Sequence, residues 1–217
     1  MTTTTCTPAT ATTRSLLGYG VVAGVAYVGV SLAQALTREG FDITRHAWSL
    51  LANGPHGWIQ VANLALTGAM VIAFAVGLRR ALEPGRGARW APRLIAGYGA
   101  GMLVAAAFRA DPAMGFPAGT PDGPGTVTLT GTVHLIAAGI GFLCLVAACF
   151  VVASRYAAEG RRGWAAYSRI TGVVFLAGFA GVTTGRPALT LAFVGAVIAA
   201  WTWMAAVAID RFRLLSV

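Results

Sequence analysis

Six uninterrupted apolar runs, each about twenty residues long, dominate the chain and limit what it can become. A helix of about 20 apolar residues spans a ~30 Å hydrocarbon core. The runs extend from Ser15 to Thr37, Trp58 to Leu78, Pro92 to Phe108, Gly131 to Ser154, Trp164 to Thr184 and Ala188 to Ile209. Only Gly185-Arg186-Pro187 separates the last two, which predicts a tight antiparallel hairpin. Of the 217 residues, 57% are hydrophobic and 11% charged, against about a quarter charged in an ordinary soluble domain. A core of this size cannot bury so much apolar surface, so the bilayer is its solvent. The expected fold is an all-α integral membrane protein: one six-transmembrane-helix bundle over residues 15–210, flanked by cytoplasmic tails at 1–14 and 211–217.

The formal net charge of +9 does not point to nucleic acid, because the basic residues sit between the apolar runs. All sixteen are arginine, which together with the alanine and glycine excess suggests a GC-rich bacterial genome and a plasma-membrane location. Arg14, Arg79, Arg80, Arg86, Arg89, Arg93, Arg155, Arg161, Arg162, Arg169, Arg211 and Arg213 fall on one side, and Arg38, Arg45, Arg109 and Arg186 on the other. The positive-inside rule puts the first set, and both termini, in the cytoplasm. Trp48 and Trp58 then mark the outer interface, and Trp90 and Trp164 the inner one. The threonine-rich start, Met1 to Thr13, lacks a basic region before an apolar core and reads as a disordered tail, not a cleaved signal.

Polar residues within the runs crowd toward the outer side. Gln60, Asn63 and Thr67 follow an i, i+3, i+7 spacing that puts them on one helix face, as do Ser31 and Gln34. Such side chains avoid hydrocarbon, so they either bond across helices or line a pocket. The expectation here is a polar pocket walled by the outer helix halves. Two long extracytoplasmic loops would cover it, one running through Arg45 to Trp58 and one through Arg109 to Thr132. The second is dense in glycine and proline, and Met114 and Phe116 offer apolar anchors for a folded lid.

Asp111 and His134 are the candidate acid–base pair, with Arg109 two residues before Asp111 to hold an anion or the carboxylate itself. Burial would raise the Asp111 pKa and make it an acid; a capping role is the alternative. His46, Ser49, Asn53, His56, Trp58, Gln60, Asn63 and Gln34 are the candidate substrate-binding residues. No nucleophile elbow surrounds Ser49. The three histidines match no zinc spacing, so no metal or cofactor is expected unless the fold gathers them with Asp111. Three glycine pairs at i, i+4 (Gly20 with Gly24, Gly97 with Gly101, Gly181 with Gly185) predict close packing inside the bundle, or a homodimer face.

Ser49 to Gln60 with its Asn-Gly-Pro-His-Gly-Trp-Ile-Gln ending, Asp111-Pro112 with the glycine–proline loop, and Gly131-Thr132-Val133-His134 together resemble the DUF998 family of bacterial and archaeal membrane proteins. The resemblance implies six helices and a shared outer site, and no particular reaction. The residues favour an intramembrane enzyme doing acid–base chemistry on a lipid-like or isoprenoid-like substrate. A lipid or small-molecule binding or transport component, and a structural subunit of a membrane complex, are the alternatives. Membrane lipids and a hydrophobic or amphipathic small molecule are the expected partners, with no nucleic acid.

Overall fold

A computed structural model describes residues 8–215. Six helices follow in order: α1 (Pro8–Thr37), α2 (Gly57–Leu82), α3 (Trp90–Ala107), α4 (Leu129–Ala158), α5 (Arg162–Val182) and α6 (Pro187–Leu214). Each packs against its neighbours in sequence, and α6 returns to α1, so the bundle is a closed ring. The turns between helices alternate between two ends. One end carries the long connections at 38–56 and 108–128 and the short one at 183–186. The other end carries twelve of the sixteen arginines; Arg14 lies 4.2 Å from the Phe212 ring there, so α1 begins beside the end of α6. These are called the loop end and the arginine end.

Five of the helices are long and apolar enough to cross a membrane, which makes the chain a multi-pass membrane protein. α3 is the exception. It has 18 residues, with Pro92 and Arg93 in its first turn, and it packs between α2 and α4. At 1.5 Å per residue it is about 27 Å long.

Most helices outrun the apolar segments that announce them. α1 starts at Pro8, seven residues ahead of the expected Ser15, so 8–14 is helix; Met1 to Thr7 lie outside the described residues. α2 and α4 each continue four residues further at the arginine end, and α6 carries on to Leu214 through Asp210, Arg211 and Arg213. Basic residues in these last turns complement the negative end of the helix dipole, so the helices continue past their apolar stretch.

Glycine sets the spacing of the ring. A Cβ at Gly99 would come 2.8 Å from the Gly68 carbonyl oxygen on α2, and one at Gly101 would come 2.8 Å from the Ala137 oxygen on α4. α3 is therefore held against both neighbours at backbone contact, where dispersion and not water release drives association. Two of the expected glycine pairs serve packing inside the chain: Gly20 faces Phe74 and Ala208, Gly24 faces Trp201, Gly97 faces Cys144 and Gly101 faces Gly141. Of the third pair, Gly181 meets Leu189, whereas Gly185 lies in the α5–α6 turn with nothing within 4 Å. The core between the helices is aromatic. Tyr27 and Tyr98 flank Trp201 at 5.1 and 5.9 Å, and Phe142 meets Phe175, Phe179 and Phe193 edge-on.

Candidate functional site

The ring encloses a cavity of about 380 Å³ that runs from the connections at the loop end down to Tyr98 and Phe142 near mid-height. Trp48, Ser49 and Leu50 from a short 3-10 helix (Trp48–Ala52) and Asp111, Met114 and Val127 from the second connection form its upper wall. The expected pocket was polar. This one is mostly aromatic and aliphatic, because the polar residues of α1 and α2 point elsewhere.

Gln34, Gln60 and Asn63 do not line the cavity. They close the seam between α1 and α2. Gln60 Oε1 accepts from Gln34 Nε2 at 2.8 Å and from Asn63 Nδ2 at 3.3 Å, and Gln60 Nε2 donates to Ser31 Oγ at 3.2 Å. Asn63 Nδ2 also reaches the Tyr27 carbonyl, and Thr67 Oγ1 donates to the Asn63 carbonyl. The shared face was read correctly from the spacing, and its neighbour is the other helix. Spacing defines a face, not what packs on it.

Nor do His46 and Asn53 reach the cavity. His46 is a buried strut between the two connections. Its Nδ1 accepts the Asp42 N–H at 2.9 Å, so the proton resides on Nε2, which donates to the Met114 carbonyl at 2.9 Å. Its ring packs among Phe41 and Phe116. Asn53 Nδ2 donates to the Ala110 carbonyl at 3.1 Å, a second tie between the same segments. Arg38, which the sequence analysis used only for orientation, grips this structure from just past the end of α1. Its guanidinium donates to the Leu51 and Asn53 carbonyls at 2.6 and 2.7 Å and lies against Phe116. The 108–128 segment is itself folded: Phe116 is 1% exposed, and the Met114 and Gly115 N–H groups donate to the Gly123 and Pro121 carbonyls. His56 is exposed at the start of α2, and Trp58 is 63% exposed on its outer face.

Asp111 lines the cavity, with its carboxylate bonded to the start of α4. Its carboxylate accepts from the Thr128 backbone N–H at 2.8 Å and the Thr128 hydroxyl at 2.6 Å. Thr128 in turn caps α4 by accepting the Gly131 N–H at 3.0 Å. The bonds from the Thr128 hydroxyl and backbone N–H hold the Asp111 carboxyl below its ordinary range, so it is ionised. The expected Arg109 partnership does not form. Arg109 is exposed, has no ion pair among the described residues, and does not border the cavity. Both Asp111 carboxylate oxygens are taken by Thr128 instead.

His134 is 3% exposed and borders the cavity. Its Nδ1–H donates at the C-terminal end of α3, to the carbonyls of the capping residue Phe108 at 2.8 Å and of Ala105 at 3.1 Å. These acceptors fix the tautomer and leave Nε2 with its lone pair and no partner among the described residues. The Tyr27 and Tyr98 hydroxyls, also in the cavity wall, are unpartnered in the same sense. Ser49 lies half-buried at the upper wall, and Arg45 beside it pairs with Asp122 at 3.2 Å. The histidines are not gathered: no group of three or more His, Cys, Asp or Glu among the described residues is placed to hold a metal.

A second polar cluster, at the arginine end, was missed. Asp210 is 9% exposed, accepts two bonds from Arg161 at 2.8 and 2.5 Å, and receives the Tyr156 hydroxyl at 2.9 Å. Glu159 accepts two bonds from Arg211, both at 2.8 Å, and one from Arg155. Arg155 also donates to the Leu82 carbonyl, so the cluster joins α2, α4 and α6. The sequence signal was two carboxylates, Glu159 and Asp210, each set among arginines at a helix end.

Ring, cavity and buried seam define a polytopic helical membrane protein with an internal, largely apolar chamber. The chain belongs to the family described as protein of unknown function (DUF998), whose model matches residues 21–210. The match takes in all six helices apart from the first turns of α1 and the end of α6. No curated protein and no solved structure matches the chain.

Proposed function

We propose that this protein binds an amphipathic small molecule in the central cavity, from the extracytoplasmic side of a bacterial plasma membrane. All six helices cross in this reading, and the arginine end faces the cytoplasm, as the twelve-to-four arginine distribution favours. The observation that carries the reading is the cavity of about 380 Å³, within the range of small-molecule sites, with Tyr27, Tyr98 and His134 offering unpaired polar atoms in an apolar wall. Unsatisfied polar groups in an apolar surround are costly. A hydroxyl on an apolar skeleton satisfies them: it donates to His134 Nε2 or accepts from a tyrosine O–H.

Binding without bond change is favoured over acid–base catalysis. Asp111 is the one carboxylate bordering the cavity among the described residues, and Thr128 already holds it as an anion. Ala138 borders the cavity from α4, and Ala138→Phe fills it. Lipid extraction from the purified variant is expected to lose an amphiphile that the wild type retains, with unchanged oligomeric state. Retention of the same molecule by the filled variant overturns the reading.

A further inference from the structure

A second hollow, of about 390 Å³, lies at the arginine end in the outer face of the α2–α3 seam. Its floor is apolar: Ala75 and Val76 from α2, Pro92 and Ala96 from α3. Its rim is charged, with Arg79, Arg89 and Arg93 against a single carboxylate, Glu83. The rim charges are not equivalent. Arg79 is paired with Glu83 at 3.0 Å. Arg89 and Arg93 have no carboxylate partner among the described residues, and both lie near the Trp90 ring, at 6.0 and 5.7 Å. Trp90 is itself 58% exposed at the start of α3, where an amphipathic ring marks the level of lipid headgroups.

We infer that this hollow is a binding site for an anionic glycerophospholipid of the leaflet at the arginine end. The phosphate sits between Arg89 and Arg93, and an acyl chain follows the floor along Val76 and Ala96. Charge complementarity selects the headgroup: the rim carries three cations and one anion, so two positive charges remain unmatched. A basic hollow between helices at the membrane surface is a recurrent headgroup seat. The apolar floor selects a lipid over a soluble phosphate, which would cover the rim and leave the floor bare. The site is separate from the central cavity, and neither depends on the other.

The test is native mass spectrometry of the full chain with phosphatidylglycerol or phosphatidylcholine of matched acyl chains. The variants are R89Q/R93Q, R162Q/R169Q and Ala96→Trp. Arg162 and Arg169 are exposed arginines of α5 at the same end, so the second variant removes equal charge away from the hollow. Wild type is expected to retain phosphatidylglycerol over phosphatidylcholine. R89Q/R93Q should weaken that retention about tenfold or more, and R162Q/R169Q by less than about twofold. Ala96→Trp should also weaken it, because it fills the chain seat and leaves every arginine in place. Equal losses in the two double variants would reduce the effect to general surface charge and overturn the inference. So would displacement of the lipid by inorganic phosphate, or full retention by Ala96→Trp.

Discussion

The Asp111 carboxylate and the Thr128 hydroxyl lie 2.6 Å apart, and through this contact the end of α3 fixes the start of α4. Gly131 completes the joint, since a Cβ there would fall 2.0 Å from Asp111 Oδ2. Thr128→Ala removes both the α4 cap and the Asp111 contact, and should cost about 1 kcal/mol in detergent unfolding. Gly131→Ala should displace the carboxylate and cost a similar amount. The folded Asp111 pKa lies below its unfolded value of about 3.9. Its contribution is therefore complete above that value and is lost as pH falls through the lower, folded one. Unfolding midpoints of wild type and Asp111→Asn should differ by a constant amount above pH ~4 and converge only below it.

Gln60 is the hub of the α1–α2 seam, bonded to Ser31, Gln34 and Asn63. Interhelical bonds in membranes are worth about 0.6 kcal/mol each. Gln60→Leu should therefore lower stability by roughly 1–2 kcal/mol. It should leave the amphiphile content of the purified protein unchanged. A selective loss of ligand with stability intact would return Gln60 to the binding surface.

The helices were legible in the sequence because hydropathy is a local signal. Helices adjacent in sequence are adjacent in the ring, even across the long connections at 38–56 and 108–128. The direction of a polar face was not legible. Gln60 and Asn63 share a face by spacing, but which neighbour covers it depends on the packing of α1 against α2. The Asp111–Thr128 joint spans seventeen positions through a glycine–proline segment without periodicity. Arg109 is nearer in sequence yet leaves in another direction. The Trp48–Ala52 3-10 helix was read as loop, since five residues carry no detectable period. Asp210 and Glu159 were hidden among the arginines that were counted for orientation.

His46 joins the two connections through Asp42 and Met114. His46→Ala leaves the Asp42 N–H and the Met114 carbonyl without these partners and should cost about 1–3 kcal/mol. Limited proteolysis should then cut within 108–128 faster than it does in the wild type, where His46 ties the segment down.

Asp210 is nearly buried between Arg161 and the Tyr156 hydroxyl. Asp210→Ala strands those groups and should destabilise by about 3–5 kcal/mol, whereas Tyr156→Phe should cost about 1 kcal/mol. At Glu159, burial alone would raise the carboxyl, but the bonds from Arg211 and Arg155 and their charge outweigh it and hold the group below its ordinary range. This contribution is present above the unfolded value of about 4.3 and disappears as pH falls through the folded one. Acid unfolding of wild type should therefore be steeper below pH ~4.3 than that of Glu159→Gln.

The most direct test of the cavity's role compares wild type with Tyr27→Phe/Tyr98→Phe by native mass spectrometry and lipid extraction. Each substitution removes a hydroxyl that has no protein partner among the described residues and keeps the ring packed on Trp201. Without a ligand, the double variant should be as stable as wild type or more so. The account predicts an amphiphile retained by the wild type and depleted about tenfold or more in the double variant, consistent with one or two lost bonds. An empty wild-type cavity, or equal retention by both proteins, would contradict it.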